Sequence, residues 1–202
     1  MEMIPFEKYI LGTTLRFYIQ RKFEGPLVLK DVPENLPKCL EIGCGHGAGL
    51  FIIKQMTKCR ELIGIDMDPQ LLAKSSEKLD HPPYWVKPAD TSGISVLKAD
   101  ASDMPFPDNH FDAAFLFDAL HHITEWKKAV EEIFRVLKPS GIFAFEEAAI
   151  TKSPFWLNSF LRHVPFNMEE MLEHLKKSGF IIKTQRKIPL LPYCFVKAEK
   201  PL

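Results

Sequence analysis

The sequence predicts an α/β domain built on a doubly wound, mostly parallel sheet. Three observations carry this. Short apolar runs alternate with helical stretches, without repeats or low-complexity tracts. A glycine-rich turn follows the first run, and an acid ends the second about twenty residues on. At 202 residues, 46% of them apolar and 26% charged, the chain can bury one sizeable core.

In chain order, Phe6, Tyr9, Ile10 and Phe17 recur at helical spacing, which predicts an amphipathic helix from Phe6 to about Phe23 closed by Gly25-Pro26. Asp31 to Pro37, with two prolines, reads as a linker. Strands are expected at Lys38 to Ile42, Leu62 to Asp66, Ile94 to Ala99, Phe111 to Phe117 and Gly141 to Glu146, all short and apolar. Between them, helices start near Ala48, at Pro69 with Asp68 as cap, and at Glu125 with Thr124 as cap. The last places Trp126, Val130, Ile133 and Leu137 on one stripe and stops at Lys138-Pro139-Ser140-Gly141.

The connection from Leu79 to Gly93 is long and holds three prolines with Tyr84 and Trp85, so it reads as an ordered insertion. A final helix, Met168 to Ser178, ends at Gly179. The runs Phe180 to Arg186 and Tyr193 to Ala198 follow, joined by a short loop, and such strands pair antiparallel.

Charge narrows the function classes. The chain has 26 basic and 26 acidic side chains and no Lys/Arg-rich block, so a nucleic-acid partner is not expected. No apolar run approaches the ~20 residues that span a bilayer, and the start lacks a basic region followed by an apolar core. The expectation is a cytoplasmic protein without a membrane span. Cys39, Cys44, Cys59 and Cys194 form no CxxC pair and no His/Cys spacing suited to a tetrahedral site, so reduced thiols and no metal are expected.

The chemistry gathers at strand ends. Glu41-Ile42-Gly43-Cys44-Gly45-His46-Gly47-Ala48-Gly49 joins a strand to a helix, and its alternate glycines let backbone turn sharply and approach a ligand. Asp66 ends the next strand, where a carboxylate can accept both hydroxyls of a ribose; Asp68 already supplies the helix cap. A nucleoside ligand follows. A dinucleotide site wants GxGxxG, whereas the spacing here is GxGxG preceded by Glu41.

At this point the chain resembles the class I S-adenosylmethionine-dependent methyltransferases, in particular the small-molecule branch with the ubiquinone and menaquinone biosynthesis methyltransferases. The resemblance runs from about Cys39 to Glu147. It continues through Leu97-Lys98-Ala99-Asp100-Ala101, Met104-Pro105-Phe106-Pro107-Asp108, Phe111-Asp112, Phe117-Asp118-Ala119-Leu120-His121-His122 and the stretch from Glu132 to Gly141. It implies a Rossmann-like doubly wound sheet, mostly parallel with a C-terminal antiparallel strand, and S-adenosyl-L-methionine as cofactor. It further implies that Glu41 and the Gly43, Gly45 and Gly47 backbone hold the methionine part and Asp66 the ribose. Met67 would lie against the adenine, Asp100 would accept from its exocyclic amine, Ala101 would donate a backbone hydrogen bond, and Phe117 would sit beside the sulfonium.

The expected organisation is a single methyltransferase domain. Residues 1–37 form a helix and linker, 38–147 the cofactor-binding core, 148–166 a substrate lid, and 167–202 a helix and strand pair. Thr151 to Phe166, with Phe155, Trp156 and Phe160, would lie over a small, apolar methyl acceptor. Transfer is an in-line displacement that needs mainly proximity, so a base is optional. His121, His122 and Glu147 are the candidates, each at or beyond the carboxyl end of a strand. Alternation turns one of Glu146 and Glu147 toward the cavity. A catalytically silent cofactor- or protein-binding relative and a nicotinamide-dependent oxidoreductase are the competing readings.

Overall fold

A computed structural model describes residues 14–83, 85–86, 91–148, 167–188 and 193–202. Phe6, Tyr9 and Ile10 of the expected first helix and the Thr151 to Phe166 lid lie outside them.

Among the described residues the sheet has seven strands: β1 (Lys38–Ile42), β2 (Glu61–Asp66), β3 (Ile94–Lys98), β4 (Phe111–Phe117), β5 (Leu137–Ala148), β6 (Ile181–Lys187) and β7 (Tyr193–Glu199). Their order across the sheet is β3-β2-β1-β4-β5-β7-β6. β1 pairs in parallel with β2 and β4, β2 with β3, and β4 with β5, while β7 runs antiparallel to both neighbours. The expected parallel sheet with an antiparallel C-terminal strand is what forms. β1 and β4 are central and buried at nearly every position, as strands covered on both faces must be.

The helices are α1 (Thr14–Ile19), a π-helical turn (Gln20–Glu24), α2 (Gly25–Val28), α3 (Ala48–Thr57), α4 (Pro69–Asp80), α5 (Trp126–Val136) and α6 (Met168–Lys177). Trp126, Val130 and Ile133 of α5 and Met171 and Leu175 of α6 form one core with Phe111, Leu116 and Phe143 of the sheet. Val28 of α2, Leu50 and Ile53 of α3 and Leu72 of α4 form the other, with Cys39, Leu62 and Phe115. All four cysteines are buried and free. No helix among the described residues is long and apolar enough to cross a membrane.

Several boundaries differ from the sequence reading. Gly25-Pro26 does not close the first helix. The Gly25 N–H reaches back to the Gln20 carbonyl in a widened turn, and Pro26 sits in the first turn of α2, where its missing N–H costs nothing. A Cβ at Gly25 would lie 2.4 Å from Ile52 Cγ2, so glycine serves helix packing there.

The third helical start differs too. α5 begins at Trp126, so Glu125, whose side chain makes no cap bond, takes the N-cap position expected of Thr124. By contrast Asp68 caps α4 as expected, accepting from the Gln70 N–H at 2.8 Å.

Lys138-Pro139-Ser140-Gly141 does end α5 at Val136, but the strand absorbs it. β5 starts at Leu137, opposite Phe111, and regains register at Ile142 opposite Ala113, with Ser140 at φ 62°. A bulge accommodates the proline, which cannot donate to the ladder. β3 stops at Lys98, one residue short of expectation.

Within the Leu79 to Gly93 connection, Trp85 packs edge-on against Phe17 at 6.2 Å and Phe51 at 6.1 Å, with the Arg21 guanidinium 4.6 Å above its ring. The described part of this connection joins the helix before β1 to α3.

Candidate active site

The carboxyl ends of β1, β2, β3 and β4 open on a cavity of about 820 Å³, where sheets of this kind bind ligands. Glu41 at the end of β1 is 2% exposed, and its Oε2 is buried without a hydrogen-bond partner. Burial, with Asp66 nearby, holds its carboxyl well above the usual carboxylate range. A Cβ at Gly49 would lie 1.9 Å from Glu41 Oε1, so the absence of a side chain at the start of α3 lets Glu41 lie against it. A buried acceptor without a donor, in a cavity wall, is what a ligand ammonium would satisfy.

The glycine turn divides its work. Gly43 and Gly45 line the cavity with φ of 68° and 51°. Gly47 does not line it. It is the N-cap of α3 at φ 79°, and a Cβ there would meet Ser75 Oγ at 2.3 Å.

Asp66 lines the cavity from the end of β2, and its carboxylate carries structural duties that sequence did not reveal. Oδ2 accepts from the Gly45 N–H and Oδ1 from the Asp68 N–H, both at 2.9 Å. The acid therefore fixes the turn beside which a ribose would lie. Burial raises its carboxyl pKa against the lowering effect of those two N–H groups.

Met67, 57% exposed, and Ala101, buried, line the same cavity. So does Asp100, whose Oδ1 accepts from the Ser102 N–H and hydroxyl at 2.8 Å, so it caps the end of its strand as well as facing the cavity. Phe117, Asp118, Arg16 and His122 line the cavity as well.

The three candidate bases separate. His122 lines the cavity; His121 and Glu147 do not. Glu147 is fully buried, its Oε2 accepting from the Leu120 N–H at 2.9 Å and the His121 N–H at 3.3 Å, its Oε1 2.6 Å from His121 Nδ1. Glu146 is fully buried as well, so neither glutamate faces the cavity as alternation suggested. Its carboxyl lies near Glu24, Asp118 and Arg16 and is pushed well above the usual range, burial being the main cause.

Asp118 is the residue sequence reasoning missed. It lines the cavity at φ 50°, and Tyr193 of β7 donates to its Oδ2 at 3.3 Å. Burial and the Glu147 charge push its pKa up to about 6. Its position in the quoted Phe117-Asp118 block was a visible signal, but Tyr193, 75 residues away, was not.

The model of a methyltransferase domain family matches residues 40–145. The chain belongs to this methyltransferase family. Its match takes in β2, β3 and β4 whole and most of β1 and β5.

Among curated relatives of this chain, a demethylmenaquinone methyltransferase of Thermus thermophilus is 31% identical over 132 residues, 64% of this chain and 53% of that protein. A sterol 24-C-methyltransferase of Eremothecium gossypii is 30% identical over 130 residues, 64% of this chain and 33% of that protein. The matched region thus spans between a third and about half of those relatives' length. A solved S-adenosylmethionine-dependent methyltransferase of Aquifex aeolicus superposes with a TM-score of 0.75 at 22% identity, covering 98% of this chain and all of that one. The Rossmann-like fold, the class I family with its quinone-methyltransferase likeness, and S-adenosylmethionine as the family's cofactor are those the motifs implied.

Proposed function

We propose that this methyltransferase transfers the methyl group of S-adenosylmethionine to a small molecule by in-line displacement. The observation that carries this reading is the unpartnered, buried Glu41 oxygen sharing one cavity with Asp66. An amino-acid ammonium and a ribose diol are the two groups such a pair of acids would hold, one on each side of a turn whose alternate residues are glycine.

In this reading Glu41 and the Gly43 and Gly45 backbone hold the methionine part, with Gly47 shaping the turn behind them. Asp66 takes the ribose, Met67 lies against the adenine, and Asp100 and the Ala101 N–H read its edge. Phe117 stands beside the sulfur. When bound, S-adenosylmethionine supplies a methyl group already activated by positive sulfur, and the chain's residues supply alignment and exclusion of water.

The acceptor would enter beyond Phe117, where Arg16, Gln20, Asp118 and His122 line the wall. That wall is polar, which supports an acceptor with a polar reacting end in place of a wholly apolar one. His122 is the histidine positioned to take a proton; His121 and Glu147 act from behind it.

Isothermal titration with S-adenosylhomocysteine, S-adenosylmethionine and a nicotinamide nucleotide tests the cofactor assignment. Micromolar binding of the first two, lost in Asp66→Ala, with none of the third is the expected result. Binding of the nicotinamide nucleotide alone would overturn it.

A further inference from the structure

From the convergence of one oxygen each of Asp118 and Glu147 on His121 Nδ1, we propose that this chain binds a divalent first-row transition cation at the junction of β4 and β5. Sequence spacing argued against a metal because it sought Cys and His clusters. The fold assembles this set from a strand end, the short helical turn Leu120–His122 and a neighbouring strand.

The three ligand atoms lie within 4.8 Å of one another. Each carboxylate has one oxygen fixed by the scaffold and the other turned to the imidazole. Glu147 Oε2 is held by the Leu120 and His121 N–H groups, leaving Oε1 beside Nδ1. Asp118 Oδ2 is held by the Tyr193 hydroxyl, leaving Oδ1 3.7 Å from Nδ1, buried and without a hydrogen-bond partner. Metal ligands are oriented in this way by outer hydrogen bonds.

Charge points the same way. Two carboxylates, one fully buried and one largely so, face the His121 imidazole. The Arg16 guanidinium, which pairs with Glu24, and His122 supply positive charge on the cavity side of Asp118. A divalent cation compensates both acids, and a mixed imidazole and carboxylate set suits Mn²⁺, Fe²⁺ or Zn²⁺ over Mg²⁺.

The geometry needs one small change. Bonds of about 2.0–2.2 Å in a tetrahedral arrangement separate ligand atoms by roughly 3.4 Å. The Asp118 pair is near that distance already; the 2.6 Å His121–Glu147 contact must open, the cation replacing the proton it now shares. Asp118 also lines the cavity, which places the cation next to the acceptor end of the proposed site.

The test uses the chelator-treated full chain, Mn²⁺ followed by electron paramagnetic resonance, and Zn²⁺ competed against a chromophoric chelator. One equivalent bound, weakened at least tenfold in Asp118→Asn and in His121→Gln, is expected, with S-adenosylhomocysteine binding measured alongside as a readout of folding. Two variants keep the test usable if one fails to fold. No binding of either cation by protein that binds S-adenosylhomocysteine would overturn the proposal, as would cation binding unchanged in both variants. Variant-sensitive cation binding without S-adenosylhomocysteine binding would uphold this site and sink the methyltransferase reading instead.

Discussion

The N–H of Gly45 donates to Asp66 Oδ2 at 2.9 Å, tying the turn after β1 to the acid that ends β2. The link makes Asp66 both a ligand candidate and a brace. Asp66→Ala is therefore expected to lower S-adenosylhomocysteine affinity at least tenfold and to reduce stability by about 1–2 kcal/mol, since two backbone donors lose their acceptor. Titration calorimetry and denaturant unfolding read the two effects. Lost affinity at full stability would mean that the brace contributes nothing.

Gly49→Ala probes the close approach of Glu41 to α3. With a Cβ placed 1.9 Å from Glu41 Oε1, the carboxylate must move. The expected result is loss of S-adenosylhomocysteine binding with a stability cost of about 1–3 kcal/mol. Unaltered affinity would remove Glu41 from the proposed methionine site.

Trp85→Ala should loosen the helix before β1. The indole touches Phe17 and Phe51 and lies under Arg21. Truncation of a partly buried aromatic of this kind costs about 2–3 kcal/mol, and limited proteolysis should cut between α1 and β1 sooner than in the wild type. An unchanged cleavage pattern would show that Trp85 does not anchor that segment.

Acid stability should carry the mark of Glu132. Its carboxylate accepts from Arg135 Nε at 2.6 Å and from the Met104 N–H at 2.8 Å, and Arg135 holds its pKa below the usual 4.5. A carboxyl depressed on folding stabilises above its unfolded pKa and loses that contribution as pH falls through the folded value. Urea midpoints of the wild type and Glu132→Gln should therefore differ near pH 6 and converge well below pH 4.5. A gap that persists unchanged in acid would assign the effect to packing.

Much of the fold was legible because its signals are local. Asp68 before Pro69 caps α4 as read, and Gly43, Gly45, Asp66 and Asp100 all reach one cavity. The sequence reading went astray where a distant contact decides. Gly25 looks like a helix stop until Ile52 is found against it, and Gly47 looks like a ligand contact until Ser75 is found there. Pro139 is a helix terminator and also sits in a bulged strand, and only the β4 register distinguishes the two. Asp118 passed unremarked because Tyr193 and Glu147 reach it from β7 and β5.

β7 lies between β5 and β6, although it is made after both. A ribosome that has reached Lys187 has produced β6 with no strand to pair with. The emerging chain must then keep a place open beside β5 for residues 193–199, with Phe145 and Glu146 awaiting their partners Val196 and Phe195. Closure of this sheet is thus deferred to the end of synthesis of these residues, and an interrupted chain would expose an interior seam instead of a frayed edge.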